Sequence, residues 1–308
     1  MSKSKRTARA EGPSTTGGAK VRLARSGWLN TLGPLAVSLA ALAAVTVALR
    51  LGFNALLDRL FAAWNLRADT VARAPGWAQA LYGWRGALVT LAVGAALLSL
   101  CRPLRALWGL RPGGRRGTMK MGGFGLLTGV GIALLIALLS LLPDSARLSW
   151  PLSAPRLNGA LPALCLISLV GVLAEEAFAR GVLQDGLKNR LGGHWASAVA
   201  CAAFFVMRGG WSGGWVYGVN VLLTGLVCCL LYARYGLTAA VGFRWGLEAF
   251  AAYIMGFGGG SAAVYRLYGV SETLLTGGDS GPLYGLWLAL AMLALVVMLH
   301  RKTRNPDL

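Results

Sequence analysis

The chain alternates long apolar stretches with short polar segments, and the lengths of these stretches predict membrane-spanning helices. A helix rises about 1.5 Å per residue, so about 20 apolar residues cross the hydrocarbon core of a bilayer. Stretches of suitable length run over 28–49, 79–101, 121–142, 161–183, 195–213, 215–233, 237–257 and 282–300. Glycine interrupts the later ones, which leaves a count between six and eight. We expect an all-α polytopic membrane helix bundle with about eight transmembrane helices.

Composition excludes an ordinary soluble domain. Of 308 residues, 56% are hydrophobic and 13% are charged, with a mean hydropathy of +0.59, whereas soluble domains carry about 25% charged residues. The formal net charge is +19, from 30 Lys+Arg against 11 Asp+Glu. Such an excess suits either nucleic acid or anionic lipid, and the positions of the charges distinguish the two.

Basic residues concentrate on one predicted side of the membrane. With an even number of helices both termini share a side, and the positive-inside rule makes it cytoplasmic. The basic residues of that side are Lys3, Lys5, Arg6, Arg9, Lys20, Arg22, Arg25, Arg102, Arg105, Arg111, Arg115, Arg116, Lys120, Lys188, Arg190, Arg234, Arg301, Lys302 and Arg304. We therefore expect an N-in, C-in protein whose basic segments contact anionic lipid headgroups, with no nucleic-acid partner.

The domain organisation follows from the same pattern. Residues 1–26 form a polar, basic arm that we expect to be disordered and retained, 27–301 a single transmembrane domain, and 302–308 a short tail. The five cysteines lie in or beside apolar stretches without the spacing of a metal site, so we interpret them as packing residues. Glycine-rich pieces such as 209–214 and 277–281 are interpreted as outer turns.

Seven ionisable residues fall inside the predicted spans. A charge in the middle of such a helix costs about 2.5–3.5 kcal/mol, so each needs a partner or a water-filled cavity. Arg85 lies near a helix end and can extend to the interface. The others are Glu175, Glu176, Arg180, Arg208, Arg244 and Glu248.

Sequence spacing predicts that these six residues meet. Arg180 follows Glu176 by four residues and so shares a helix face with it. A hairpin at Gly192 and Gly193 would bring Glu175 and Arg208 to the same depth. Arg244 and Glu248 are one helical turn apart at a compatible depth. Three glutamates and three arginines then form a formally neutral cluster.

The motif around these residues resembles a known family. The run from Glu175 through Arg180 and Gly181 to Gln184 is similar to the EExxxRGxLQ motif of the CAAX protease and bacteriocin-processing (CPBP) intramembrane endopeptidases, which include type II CAAX prenyl proteases. Arg208 stands where that family has the histidine of FxxxH. Arg244 and Glu248 stand where it has HxxxN. The resemblance covers about residues 160–260.

The resemblance implies a catalytic set that this chain has altered. It assigns Glu175 as the base that activates water, Glu176 and Arg180 as its supporting pair, Arg208 and Arg244 as the histidine positions, and Glu248 as the asparagine position. Arginine stays protonated, so it neither accepts a proton nor binds a metal. We therefore expect no cofactor and the loss of the family's zinc site. The two histidines, His194 and His300, are interpreted as interfacial residues.

Two hypotheses remain open. The first is a pseudoenzyme in which an ion-pair network has replaced the catalytic set and which acts by binding a membrane peptide or protein partner. The alternative is an active intramembrane endopeptidase that cleaves prenylated or other membrane-associated peptides by Glu-activated water, with Arg208 or Arg244 as oxyanion donor. Transport is disfavoured because charge occurs at only one depth. The resemblance further suggests a bacterial inner-membrane location and a role in bacteriocin processing or self-immunity.

Overall fold

The computed structural model describes residues 25–64, 85, 88–89, 91–96, 99, 117–141, 146–149, 160–256, 266–269, 274–277, 281 and 284–304. The chain divides into two compact units, 1–41 and 42–308, and the candidate site lies wholly in the second. Most of the N-terminal arm, the basic loop 102–116 and the last four residues lie outside the described residues. The predictions made for those segments therefore stay predictions.

Helices make up nearly all of the described chain. In chain order we label them α1 (Arg25–Ala63), α2 (Met119–Leu141), α3 (Ala160–Glu176), π1 (Ala177–Gln184), α4 (Asp185–Leu191), α5 (Gly193–Met207), α6 (Gly214–Tyr235), α7 (Leu237–Ala249), π2 (Phe250–Ile254) and α8 (Leu286–Arg304). Strands β1 (Ala146–Ser149) and β2 (Arg266–Gly269) pair antiparallel, with Ala146 opposite Gly269. This small ribbon was not predicted, but the predicted helical membrane bundle is confirmed.

Three described helices are long and apolar enough to cross a membrane. They run over Met119–Leu141, Leu161–Lys188 and Gly214–Tyr235, and two shorter apolar helices run over Gly193–Met207 and Leu286–Arg301. Large apolar side chains point outward from these helices, as expected for surfaces that face lipid; examples are Leu127, Leu138, Leu166, Leu290 and Met298. The chain is an integral membrane protein by these criteria, and the count of eight helices and the N-in, C-in orientation stay predictions.

Helix α1 departs from the predicted span 28–49. It continues to Ala63 and so carries Arg50, Asn54 and Asp58 on one face at intervals of four residues. These polar residues ended the apolar stretch in the sequence. Within the continued helix Asn54 donates to the Arg50 carbonyl oxygen at 2.9 Å, and Asp58 forms an ion pair with Arg85, with a shortest N–O distance of 2.7 Å.

Glycines allow α2 and α7 to pack with their backbones in near contact. A Cβ atom at Gly125 would collide with the Ala239 carbonyl oxygen, and one at Gly129 with that of Phe243. On the facing helix α7, a Cβ atom at Gly242 would likewise collide with the Gly122 carbonyl oxygen of α2. Small residues four apart are typical of close helix pairs in membranes. This packing fixes the position of α7, which carries two members of the candidate site.

Candidate functional site

Arg244 occupies the centre of a buried ion-pair cluster. Its guanidinium directs a different nitrogen to each of three carboxylates: Nη1 donates to Glu176 Oε1 at 3.1 Å, Nε donates to Glu248 Oε1 at 3.0 Å, and Nη2 forms a short hydrogen bond with Glu175. Arg244 therefore joins α7 to the end of α3.

Glu176 has a second partner in Arg180, one turn further along the chain. Arg180 Nε donates to Glu176 Oε2 at 3.1 Å, Nη2 donates to the Gly225 carbonyl oxygen at 3.1 Å, and Nη1 lies 3.3 Å from Cys229 Sγ. All three guanidinium nitrogens of Arg180 thus have partners. Both oxygens of Glu176 are likewise bound, because the other accepts from Arg244.

Arg208 and Glu248 form the more accessible edge of the cluster. Arg208 Nη2 lies 2.9 Å from Glu248 Oε1, and Nη1 lies 3.9 Å from Glu175 Oε2. The side chains of Arg208 and Glu248 are 16% and 24% exposed, whereas that of Glu175 is fully buried. The Arg208 carbonyl oxygen accepts a hydrogen bond from the Tyr217 hydroxyl at 3.0 Å, which holds the end of α5 against α6.

Arg50 is a seventh member that sequence reasoning missed. Its Nη2 lies 3.5 Å from Glu175 Oε1, and its side chain is 28% exposed. In the sequence it stood at the edge of the first apolar stretch and was not counted among the charges within spans. The prediction of a neutral cluster is therefore wrong. Four arginines face three glutamates, which leaves one positive charge in excess.

The ion-pair cluster, as we use the term below, consists of Arg50, Glu175, Glu176, Arg180, Arg208, Arg244 and Glu248. Its centre is sealed from solvent: Glu175, Glu176, Arg180 and Arg244 have no exposed surface. The Phe204 ring closes one side, with the guanidinium carbons of Arg180 and Arg244 at 5.3 and 4.8 Å from its centroid. Such cation–π contacts stabilise desolvated guanidinium groups.

A change in helix type directs the motif residues inward. Glu175 and Glu176 end α3, and the chain then continues as π1, which carries Arg180 and Gln184 on the buried side. Gln184 Nε2 donates to Ser197 Oγ at 3.1 Å and to the Cys229 carbonyl oxygen at 3.2 Å. π-helical turns are often found at functional sites, and this one was not apparent from residue spacing. The motif thus ties π1 to both α5 and α6.

The structure brings together all six residues singled out in the sequence and leaves the histidines outside. His194 is exposed at the start of α5, and His300 is exposed near the end of α8. Over the described part of the chain, no group of three or more His, Cys, Asp or Glu side chains could hold a metal ion. The side chains that meet here do not fit a zinc ion, because guanidinium groups cannot bind a metal and in this site they are bound to the carboxylates.

Comparison with known proteins supports the resemblance. Residues 157–250 match the family described as Type II CAAX prenyl endopeptidase Rce1-like. The matched segment runs from the start of α3 to the beginning of π2 and contains every member of the ion-pair cluster except Arg50. No curated protein and no solved structure matches the chain. The resemblance to the CPBP and CAAX protease family is thus confirmed for residues 157–250, about a third of the chain.

Proposed function

We propose that this protein is a pseudoenzyme that uses the CAAX protease-like core to bind a membrane peptide or protein partner. The observation that carries the proposal is the bridging position of Arg244. One fully buried guanidinium contacts all three carboxylates of the site. By the family resemblance, Arg244 stands where an active member would have a histidine that exchanges a proton. The predicted bacterial inner-membrane location and lipid contacts belong to this proposal, with neither a cofactor nor nucleic acid as a partner.

The charges around Glu175 oppose its use as a base. A general base must come within hydrogen-bond distance of the water whose proton it takes. Glu175 has cations on both oxygens, with Arg50 at 3.5 Å from Oε1, and Arg208 at 3.9 Å and Arg244 near Oε2. A water molecule at this carboxylate would have to compete with three guanidinium groups.

The position of Glu248 also disfavours hydrolysis. An oxyanion is stabilised by donors aimed at the site where negative charge develops. Glu248 supplies a carboxylate in place of an amide, and its Oε1 is already bound to Arg208 at 2.9 Å and to Arg244 at 3.0 Å. This residue therefore places negative charge where hydrolysis requires a donor.

One observation keeps the endopeptidase alternative as a second candidate. Arg50 and Arg208 are partly exposed, so a peptide carbonyl could approach their donors. In that case Glu175 would activate water while still paired with Arg244. A role in bacteriocin processing or self-immunity is compatible with either candidate function and is suggested by the family resemblance alone.

A cleavage assay with the purified full chain separates the two candidates. Prenylated and unprenylated peptides are incubated with the wild type and with Glu175→Gln, which keeps the size of the side chain and removes its charge. The proposal predicts the same background product from both proteins. Turnover by the wild type that is absent from a correctly folded Glu175→Gln variant would refute the pseudoenzyme reading.

A further inference from the structure

The ion-pair cluster contains one more cation than it can neutralise. Arg180, Arg208 and Arg244 each have a carboxylate oxygen within 3.1 Å, whereas the shortest contact of Arg50 is 3.5 Å. The Nε of Arg50 is buried and has no hydrogen-bond partner among the described residues. A buried donor without a partner is unfavourable, and a cation in a membrane interior even more so. The excess charge therefore resides at Arg50.

Arg50 and Arg208 lie on either side of one carboxylate. Arg50 Nη2 approaches Glu175 Oε1, while Arg208 Nη1 approaches Oε2 at 3.9 Å. Both side chains are partly exposed, whereas Arg180 and Arg244 are sealed. The two accessible guanidinium groups of the cluster are thus also those with the weakest contacts to Glu175. Their contacts to Glu175 leave room for a stronger oxyanion partner.

A polar route leads from the protein surface to Arg50. Along α1, Asp58 is 54% exposed and forms an ion pair with Arg85, whose Nε also donates to Asn54 Oδ1 at 3.2 Å. Asn54 and Arg50 follow at successive turns toward the cluster. The Asp58–Arg85 pair is neutral by itself, so it does not cancel the charge of Arg50. The exposed Asp58 is thus joined to Arg50 by a continuous row of polar side chains along α1.

Charge and depth define the chemistry of that ligand. A single negative charge would neutralise the cluster, and guanidinium groups bind oxyanions with paired hydrogen bonds. Glu175 lies about 14 residues from Leu161 and 13 from Lys188, the two ends of its apolar helix. That is roughly 20 Å from either end, so the carboxylate lies midway along this apolar helix. We propose that Arg50 and Arg208 bind the carboxylate of a singly charged ligand that enters along α1.

The test uses two probes that differ only in charge. N-acetyl-leucine carries a carboxylate, and N-acetyl-leucinamide replaces it by a neutral amide. The unfolding temperature of the full chain in neutral detergent is measured against the concentration of each probe at constant ionic strength. A ligand that binds the folded state raises this temperature in a saturable manner. We expect saturable stabilisation by the carboxylate and none by the amide.

Variants of α1 assign the effect to Arg50. Arg50→Gln is expected to weaken the apparent affinity about tenfold or more, since hydrogen bonds to charged groups are strong. It should still fold, because every contact within 3.1 Å in the cluster is retained, and the curve without probe checks this. Arg59→Gln is the matched control, an exposed arginine on the same helix, and should bind as the wild type does. Arg50→Lys, which keeps the charge without the paired donors, should have intermediate affinity.

Three results would overturn the inference. They are equal stabilisation by acid and amide, unchanged affinity in both Arg50 variants, and Arg50-dependent stabilisation by short-chain phosphatidylglycerol but not by N-acetyl-leucine. The last would identify a lipid phosphate as the ligand. The inference rests on the proposed binding function, but its failure is distinguishable from that of the function. Glu175-dependent cleavage with intact Arg50-dependent binding would refute only the function, and the reverse pattern would refute only the carboxylate site.

Discussion

Replacing Arg244 with methionine removes the guanidinium that joins the three carboxylates, and we expect a severe loss of stability. Glu176 keeps Arg180 at 3.1 Å, and Glu248 keeps Arg208 at 2.9 Å. Glu175 keeps only the contacts to Arg50 and Arg208, at 3.5 and 3.9 Å. One carboxylate is therefore stranded rather than three. Breaking a buried ion pair in this way costs about 3–5 kcal/mol of unfolding free energy.

The matched variant is Arg50→Met, which changes the net charge of the cluster by the same amount. Both variants leave three arginines and three glutamates, so net charge alone predicts equal effects. The geometry predicts otherwise, because Arg50 makes no charged contact shorter than 3.5 Å. We expect Arg50→Met to have the stability of the wild type or a higher one.

The assay is unfolding of each purified variant by sodium dodecyl sulfate in mixed micelles, followed by tryptophan fluorescence. We expect Arg244→Met to be far less stable than the wild type. We expect Arg50→Met to be as stable as the wild type or more stable. Equal losses in the two variants would show that net charge controls stability, and a fully stable Arg244→Met would show that the bridge does not hold the helices together. Either result would refute the reasoning.

Two further predictions concern the helix packing and the altered site. Gly129→Ala should destabilise the protein because its Cβ would collide with the Phe243 carbonyl oxygen, whereas Gly131→Ala has open space and should have little effect; thermal unfolding of the pair measures the difference. The double change Arg208→His and Arg244→His introduces two groups that can bind metal beside the carboxylates, so we expect zinc to copurify with the folded variant and not with the wild type. Metal analysis checks this, and equal zinc contents would contradict the assigned equivalence.

Sequence reasoning predicted most of the candidate site because a charge within an apolar stretch is conspicuous. Glu175, Glu176, Arg180, Arg208, Arg244 and Glu248 all stood out for that reason, and the structure places them in contact. The hairpin at Gly192 correctly placed Arg208 near Glu175. The pairing within single helices followed from a spacing of four residues.

Arg50 could not be identified in the same way. It lies 125 residues from Glu175 in sequence, and the contact joins two separate helices, whose proximity hydropathy does not encode. It lies just beyond the predicted span 28–49 and so was not among the charges within spans. A signal was nevertheless present, since Arg50, Asn54 and Asp58 recur every four residues and so mark one polar face.

The glycine-dependent packing and the π-helical turns have different origins. The spacing of Gly125 to Gly129, and of Gly242 to Gly246, is visible in the sequence and typical of close helix pairs. It does not specify which two helices meet. The π1 turn depends on tertiary contacts such as the hydrogen bonds of Gln184 to α5 and α6. Local propensity therefore gives no indication of it.

We propose that the ion-pair cluster stands in place of proteolytic chemistry, and a single-turnover cleavage experiment decides whether it does. Wild type and Glu175→Gln are each mixed in excess with a prenylated peptide, so that even one slow cleavage event per molecule is detected by mass spectrometry. We expect no product from the wild type beyond that formed with Glu175→Gln. A product that forms with the wild type and is missing with the folded Glu175→Gln variant would show that the protein is an active endopeptidase.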